Sequence, residues 1–314
     1  MIDLEHWRVF VRVVECGSFS KAASQMHLAR SAVSRRIGEL EKHLGANLIL
    51  RTTRQLSVTE TGSTFYERAS QLLGEFEDLE SQTALGHQGF KGMIRLAAPL
   101  SFTLRQLQPT LEAFRKRYPE ITFELHLGDR RVDIVGEGFD FALRIGSTIE
   151  SSMIAQRLCV IRHLVAASPE YLARRGTPRT PDDLALHAAL CYTNVPKSGS
   201  WSYWDEIDPG AREVRLNPAL LCDNGDVLLD TALRGGGIIC EPTFLSSEAI
   251  AQGRLVPVLT EWTWSKMHAY LVYPPHRRIP ARVRALMDTL SKSITDPPPW
   301  DRLVDEQLPQ RKAR

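Results

Sequence analysis

Arg30, Ser31, Ser34 and Arg35 lie in the run ARSAVSRRIGELEKHLG, whose apolar residues Val33, Ile37, Leu40 and Leu44 recur three or four positions apart. On a helix that spacing sends the apolar set to one side and the guanidinium and hydroxyl groups to the other. Guanidinium forks match guanine edges and phosphate oxygens, and hydroxyls bond to either, so this face suits recognition of nucleic acid rather than bond-making. Arg51 and Arg54 follow in LILRTTRQLSVT, at the turn between two short strand patterns, Leu48–Leu50 and Leu56–Thr59. A basic hairpin tip beside such a helix reaches phosphate or the minor groove. Between Ser18 and Val58 seven basic residues stand against two acidic ones, a local net of +5 in a chain whose total is +2. The charge is concentrated where the pattern sits, as a nucleic-acid footprint requires.

The elements that must position these side chains read clearly. Phe19, Ala22, Ala23 and Met26 recur at helical spacing and stop at His27–Ala29. With the run that follows they form a helix-turn-helix, in which small alanines allow a close crossing and Leu28 plugs the turn. Gly45 closes the second helix. Leu4–Cys16, with Trp7, Phe10, Val11 and Val14 on one stripe and Gly17 behind it, is a first helix that completes the core. A plain helical hairpin with a solvated basic face has the same periodicity; the arginine-tipped hairpin separates the two readings.

A long helix follows Thr61-Gly62. Its seam of Phe65, Ala69, Leu72, Phe76 and Leu79 steps by four and three, and acidic residues flank it. Such a seam either packs on its own domain or pairs with a second copy. Gly86, Gly89 and Gly92 then mark a hinge.

Beyond Met93 strands alternate with helices, which predicts a parallel sheet covered on both faces. Strands are expected at Met93–Ala98, Thr122–Leu127 and Phe139–Ile145, with helices at Leu104–Tyr118 and, short, at Val132–Glu137. A second unit has strands near Ala155–Cys159, Leu164–Ala167, Leu190–Tyr192, Ala219–Cys222 and Gly237–Cys240. Its helices lie at Pro169–Arg175, Val227–Arg234 and Phe244–Ala251. A strand at His268–Tyr273 and a helix at Pro280–Ser293 follow. The tail, DPPPWDRLVDEQLPQRKAR, is proline-rich and then charged, and reads as mobile.

Bulk properties bound the function. The 314 residues suit two or three domains; 43% hydrophobic and 24% charged residues describe an ordinary globular protein. No apolar run approaches membrane-spanning length, and MIDLEHWRVF lacks a signal core, so a cytoplasmic location is expected. Five scattered cysteines without a CxxC fit reduced thiols. No GxSxG, HExxH or Walker motif occurs, and GEGFDF at Gly136 lacks the third glycine of a dinucleotide fingerprint. The nine histidines show no ligand spacing. Neither an enzyme, a metal site nor a cofactor is expected.

SFSKAA, AVSRRIGELEKHLG and LILRTTRQLSVTETG together resemble the amino-terminal domain of LysR-type transcriptional regulators, and the resemblance extends to about Asp296. It implies a winged helix-turn-helix, mainly α domain over residues 1–60, a linker and dimerisation helix over 61–86 and a hinge over 87–92. It further implies an α/β, two-lobed, periplasmic-binding-protein-like effector domain over 93–296. One lobe covers about 93–165 and 268–296, the other about 166–264, and the tail is 297–314. The implied partners are double-stranded DNA with inverted half-sites, a second copy of the chain, pairs of dimers, RNA polymerase, and a small-molecule effector of unknown identity between the lobes.

Candidate effector residues are Pro99, Ser101 and Phe102, where a helix N-terminus with hydroxyls beside it suits an anion. Arg144 and Gly146 end a strand, with Arg144 free to pair with an acidic ligand or a structural partner. Trp201, Asn224 and Pro242 are candidates in the second lobe. One departure stands out. Where the family commonly has Ser-Gln-Pro before AVS, this chain has Ala29-Arg30-Ser31, which removes the cap hydroxyl and either moves the helix start to Ser31 or costs about 1 kcal/mol. Arg30 for glutamine also moves the favoured base from adenine towards guanine. The competing reading keeps the ligand-binding part and gives the first helices to protein contacts instead of DNA.

Overall fold

The computed structural model describes residues 3–51, 56–85, 90–195, 197–205, 210–264, 266–275 and 279–308. Helix α1 (Leu4–Cys16) begins at Asp3, whose carboxylate accepts the His6 amide, and ends at Gly17 in the left-handed region. Helix α2 (Phe19–Gln25) is capped by Ser18, and α3 (Arg30–Leu44) ends at Gly45, φ 67°. Val9, Phe10, Val13, Ala22, Val33, Ile37 and Leu40 are fully buried between these helices, with Leu28 packed against them from the turn. The wing is β1 (Ile49–Arg51) antiparallel to β2 (Leu56–Val58). Glu41 fixes it: one carboxylate oxygen accepts the amides of Leu48 at 2.8 Å and Ile49 at 3.0 Å.

Helix α4 (Glu60–Leu85) follows at once. A Cβ on Gly62 would lie 2.1 Å from the Leu48 carbonyl oxygen, so backbone meets backbone where the helix leaves the wing. Gly62→Ala is therefore expected to lose about 3 kcal/mol, the upper end for overpacking, because no side chain can swing aside. A fall in the urea midpoint at unchanged slope checks this; an unchanged midpoint would mean that the α4 junction yields freely.

The remainder forms two lobes. The first holds β3 (Gly92–Ala98), α5 (Leu100–Phe102) running through a π-helical turn into α6 (Gln108–Arg117), β4 (Ile121–Leu127), β5 (Phe141–Gly146) and β6 (Ile154–Ile161). The second holds β7 (His163–Ala167), α7 (Pro169–Arg175), β8 (Ala188–Tyr192), β9 (Ser200–Tyr203), β10 (Arg212–Arg215), β11 (Asn217–Cys222), α8 (Gly225–Leu233), β12 (Ile238–Pro242), α9 (Thr243–Ala251) and β13 (Val256–Val258). The chain returns to the first lobe with β14 (Met267–Tyr273), α10 (Ala281–Ser293) and α11 (Pro299–Asp305). Strand orders are β4-β3-β5-β14-β6 and β11-β8-β12-β7-β13. Gln25 in α2 donates to the Gly136 carbonyl at 2.9 Å and ties the first domain to the first lobe.

Three sequence expectations need correction. The sheets are mixed, not parallel: β14 runs antiparallel to β5 and β6, and β7 to β12 and β13. Parallel neighbours need a crossover connection, and β7 enters its sheet directly from β6 across Arg162 alone. Residues 134–138 are a turn, not a helix, because Asp133 accepts the Gly136 amide at 2.9 Å and competes with helical pairing. The tail is not mobile as far as residue 308. Helix α11 buries Trp300 and Val304, and Thr243 donates to Asp301 at 2.5 Å. Residues 309–314 lie outside the described residues.

Candidate nucleic-acid interface and inter-lobe cleft

Helix α3 starts at Arg30 with Ala29 in the cap position and no side-chain cap, so the missing hydroxyl does not move the start to Ser31. Arg30, Ser31 and Arg35 are exposed and Ser34 is half-buried. Ser31 and Arg35 lie on the side opposite Val33, Ile37 and Leu40, Ser34 flanks that side, and Arg30 stands at the first turn above the buried stripe. Arg35 is held loosely, 3.9 Å from Glu39, while Arg36 turns towards Glu5 at 4.0 Å. Lys42 and His43 in the last turn complement the helix dipole. Arg51 lies in β1, paired with Leu56 through the backbone; Arg54 falls outside the described residues.

The predicted dimer seam divides. Phe65 stacks edge-on against Trp7 and Phe10, each at 5.4 Å, and Ala69 is fully buried, so both serve their own domain. Leu73, not Leu72, joins them inside. Leu72 and Phe76 remain open at 46% and 36% exposure, and the side chain of Leu79 lies outside the described residues. The reason is geometric: a single helix shows adjacent stripes to α1 and to solvent, and a four-three spacing does not separate them.

Between the lobes lies a cavity of about 1100 Å³. Pro99, Ser101, Phe102, Arg144, Trp201 and Pro242 line it as expected; Gly146 and Asn224 do not. Gly146 ends β5 opposite His268, and the Asn224 side chain accepts the Val227 amide as the cap of α8. The anion expected at the helix start is supplied by the protein itself, since Asp129 accepts the Leu100 amide and, at 2.7 Å, the Tyr192 hydroxyl. Ser101 and Arg105 of the first lobe both donate to Asp226 of the second, so polar contacts bridge the cleft. Arg144 donates to the Val132 carbonyl at 2.8 Å and props the loop beside the cavity. Burial, with Arg131 nearby, depresses its pKa.

Sequence reasoning missed Asp129, Tyr192, Trp204, Trp264, Lys266 and Glu241, which also line the cavity. Glu241 had a signal: a carboxyl within IICEP, an otherwise apolar strand, is the kind of residue that marks a site. Burial pushes its pKa up to about 8, and Asp129 and Asp226 reinforce the shift. His163, which pairs with Pro242 on the neighbouring strand, is pushed down to about 4 by burial. Burial also raises the thiols of Cys159 to about 12 and Cys191 to about 11, so neither is a ready nucleophile.

Residues 4–63 match the model of the bacterial regulatory helix-turn-helix protein, lysR family, and residues 87–294 match the LysR substrate binding domain. The chain belongs to the LysR family of transcriptional regulators. The LysR-type regulator CrgA of Neisseria meningitidis serogroup C is 37% identical over 291 residues, 92% of this chain and 96% of CrgA. The solved CrgA structure superposes with a TM-score of 0.59 at 36% identity, covering 92% of this chain and 97% of that one. The full-length Vibrio cholerae virulence activator AphB gives a TM-score of 0.58 at 27% identity, with 92% and 98% covered. LysR membership decides for a DNA-binding regulator with an effector domain over the reading in which the first helices mediate protein contacts. No helix among the described residues is long and apolar enough to cross a membrane.

Proposed function

We propose that this regulator works in the bacterial cytoplasm, not as an enzyme, by docking two copies of α3 in successive major grooves of an operator. Arg30, Ser31, Ser34 and Arg35 read bases and phosphates, and Arg51 and Arg54 of the wing hold the backbone. The open stripe of Leu72 and Phe76, continued to Leu79, pairs two chains, and dimers pair in turn. A small molecule between the lobes shifts their closure, and the α4 helices pass that change to the spacing of the two α3 helices, towards or away from contact with RNA polymerase. It acts only to the extent that it prefers one closure state. The observation carrying this reading is the exposed Arg30, Ser31 and Arg35 set on a helix whose Val33, Ile37 and Leu40 are fully buried.

Selection of sheared genomic DNA on the purified protein is expected to enrich sites with inverted half-repeats about one helical turn apart. Arg30→Ala should then cost about 1–3 kcal/mol and relax the preference at one position per half-site. A uniform loss across all sequences would make Arg30 a phosphate contact, and retention of all fragments alike would remove the operator reading altogether.

A further inference from the structure

The chemistry of the cleft points to the class of its ligand, an inference that rests on the reading of the cleft as the effector site. Among the described residues its cations are engaged except Arg130, which is exposed. Arg131 meets Glu150 at 3.1 Å, Lys197 meets Glu213 at 2.7 Å, and Lys266 sits 4.9 Å over the Trp204 ring. The Arg144 fork and the Leu100 amide, the groups that would receive a carboxylate, are occupied by the Val132 carbonyl and by Asp129.

Glu241 is different. It lines the cavity, is only 4% exposed, and has no hydrogen-bond partner among the described residues. The ionisable groups around it are Asp129 after β4, Asp226 in α8, Tyr192 on β8, Cys240 beside it, and His163 across the β7 pairing. Asp129 is held by Tyr192 and Leu100, Asp226 by Ser101 and Arg105, and burial keeps His163 neutral. A buried carboxyl without a donor is destabilising, so a donor arriving with the ligand relieves it. Trp201 on the cavity wall is only half-buried and offers an aromatic, apolar surface, which favours a cation.

We propose that the cleft binds an organic cation, an amine or amidine whose N–H groups engage Glu241 while its apolar body rests on Trp201. Because burial and the neighbouring Asp129 and Asp226 raise the Glu241 pKa to about 8, the carboxyl is mostly protonated in the empty cleft at neutral pH. A bound amine requires the ionised form, so binding below that pH releases a proton. Affinity for an amine must then rise about tenfold per pH unit from roughly pH 6 to 8. A carboxylate ligand, accepting a proton from the neutral acid, would bind more tightly as pH falls.

The test is calorimetric titration of the full chain with benzylamine, benzamidine and benzoate at about pH 6.5 and 8 in the wild type, Glu241→Gln and Trp201→Ala. Thermal unfolding confirms that each variant folds. The expected result is binding of the two cations in preference to benzoate, tighter at the higher pH, and weakened at least tenfold, or about 1.4 kcal/mol, by Glu241→Gln. Trp201→Ala should weaken it as well. Benzoate binding that is stronger than benzylamine binding and sensitive to Trp201→Ala leaves the cleft as the effector site and overturns the cation. Benzylamine binding untouched by Glu241→Gln, or absent up to about 10 mM, overturns it too. Binding of both probes indifferent to both substitutions places the ligand elsewhere, and the cleft reading then falls as well.

Discussion

Trp300→Ala is expected to remove about 3–5 kcal/mol of stability from the two-lobed domain, the range for deleting a buried aromatic side chain. Trp300 is 5% exposed and stands edge-on to Phe102 at 5.8 Å and to Phe244 at 6.4 Å, while Phe102 and Phe244 meet each other at 5.0 Å. The three rings come from the first lobe, the second lobe and the carboxyl-terminal helix. Truncation therefore leaves a hollow between parts that cannot all move inward together. Arg162 and Asp305, 2.5 Å apart at the crossing between lobes, add a half-exposed ion pair of little weight. Because the Trp300 indole N–H is buried without a partner, Trp300→Phe should cost clearly less than the alanine change. Chemical unfolding followed by the near-ultraviolet signal of the aromatic cluster checks both. A loss below about 1 kcal/mol for Trp300→Ala would show that α11 is an appendage and not a strap across the lobes.

Leu72→Asp combined with Phe76→Asp should convert the protein to a monomer and weaken operator binding by about 10²–10⁴-fold, the avidity that two linked half-site contacts supply. Both side chains are open in the single chain, next to a hollow of about 700 Å³ lined by Leu4, Trp7, Leu44 and Phe76. Charges placed there repel a second copy. They leave Phe65, Ala69 and Leu73 to hold α4 on α1, so the monomer's own unfolding should move by no more than about 0.5 kcal/mol. Sedimentation equilibrium and operator titration read the two effects separately. A variant that stays dimeric would move the pairing surface off this stripe.

The helices of the first domain, the basic face of α3 and most of the later strands and helices were legible because each rests on local rules. Apolar spacing, Gly17 and Gly45 at helix ends, and Ser18 at a helix start act within one or two turns. Helix α7 spans Pro169–Arg175, the range expected from the sequence, and the structure shows Ser168 capping its start and Gly176 at its end. The cleft was half legible: Pro99 and Ser101 follow a strand end, and Trp201 and Pro242 stand beside turns, so their exposure to a crevice follows from strand-end position.

The rest depended on contacts between distant parts of the chain. Asn224 read as a ligand group, but capping its own helix satisfies it first. Phe65 and Leu72 belong to one spacing pattern, and only the presence of α1 assigns the former to the core and the latter to the surface. The proline-rich stretch before Trp300 read as the start of a mobile tail, yet Pro299 starts a helix that the aromatic pocket of two other segments holds in place. The sequence by itself determined the local elements, the concentration of positive charge and the family. Tertiary structure alone decided which strands turn antiparallel, which stripe of α4 stays open and that Glu241 lies buried with no donor among the described residues, because those facts depend on residues far apart in the chain meeting in one place.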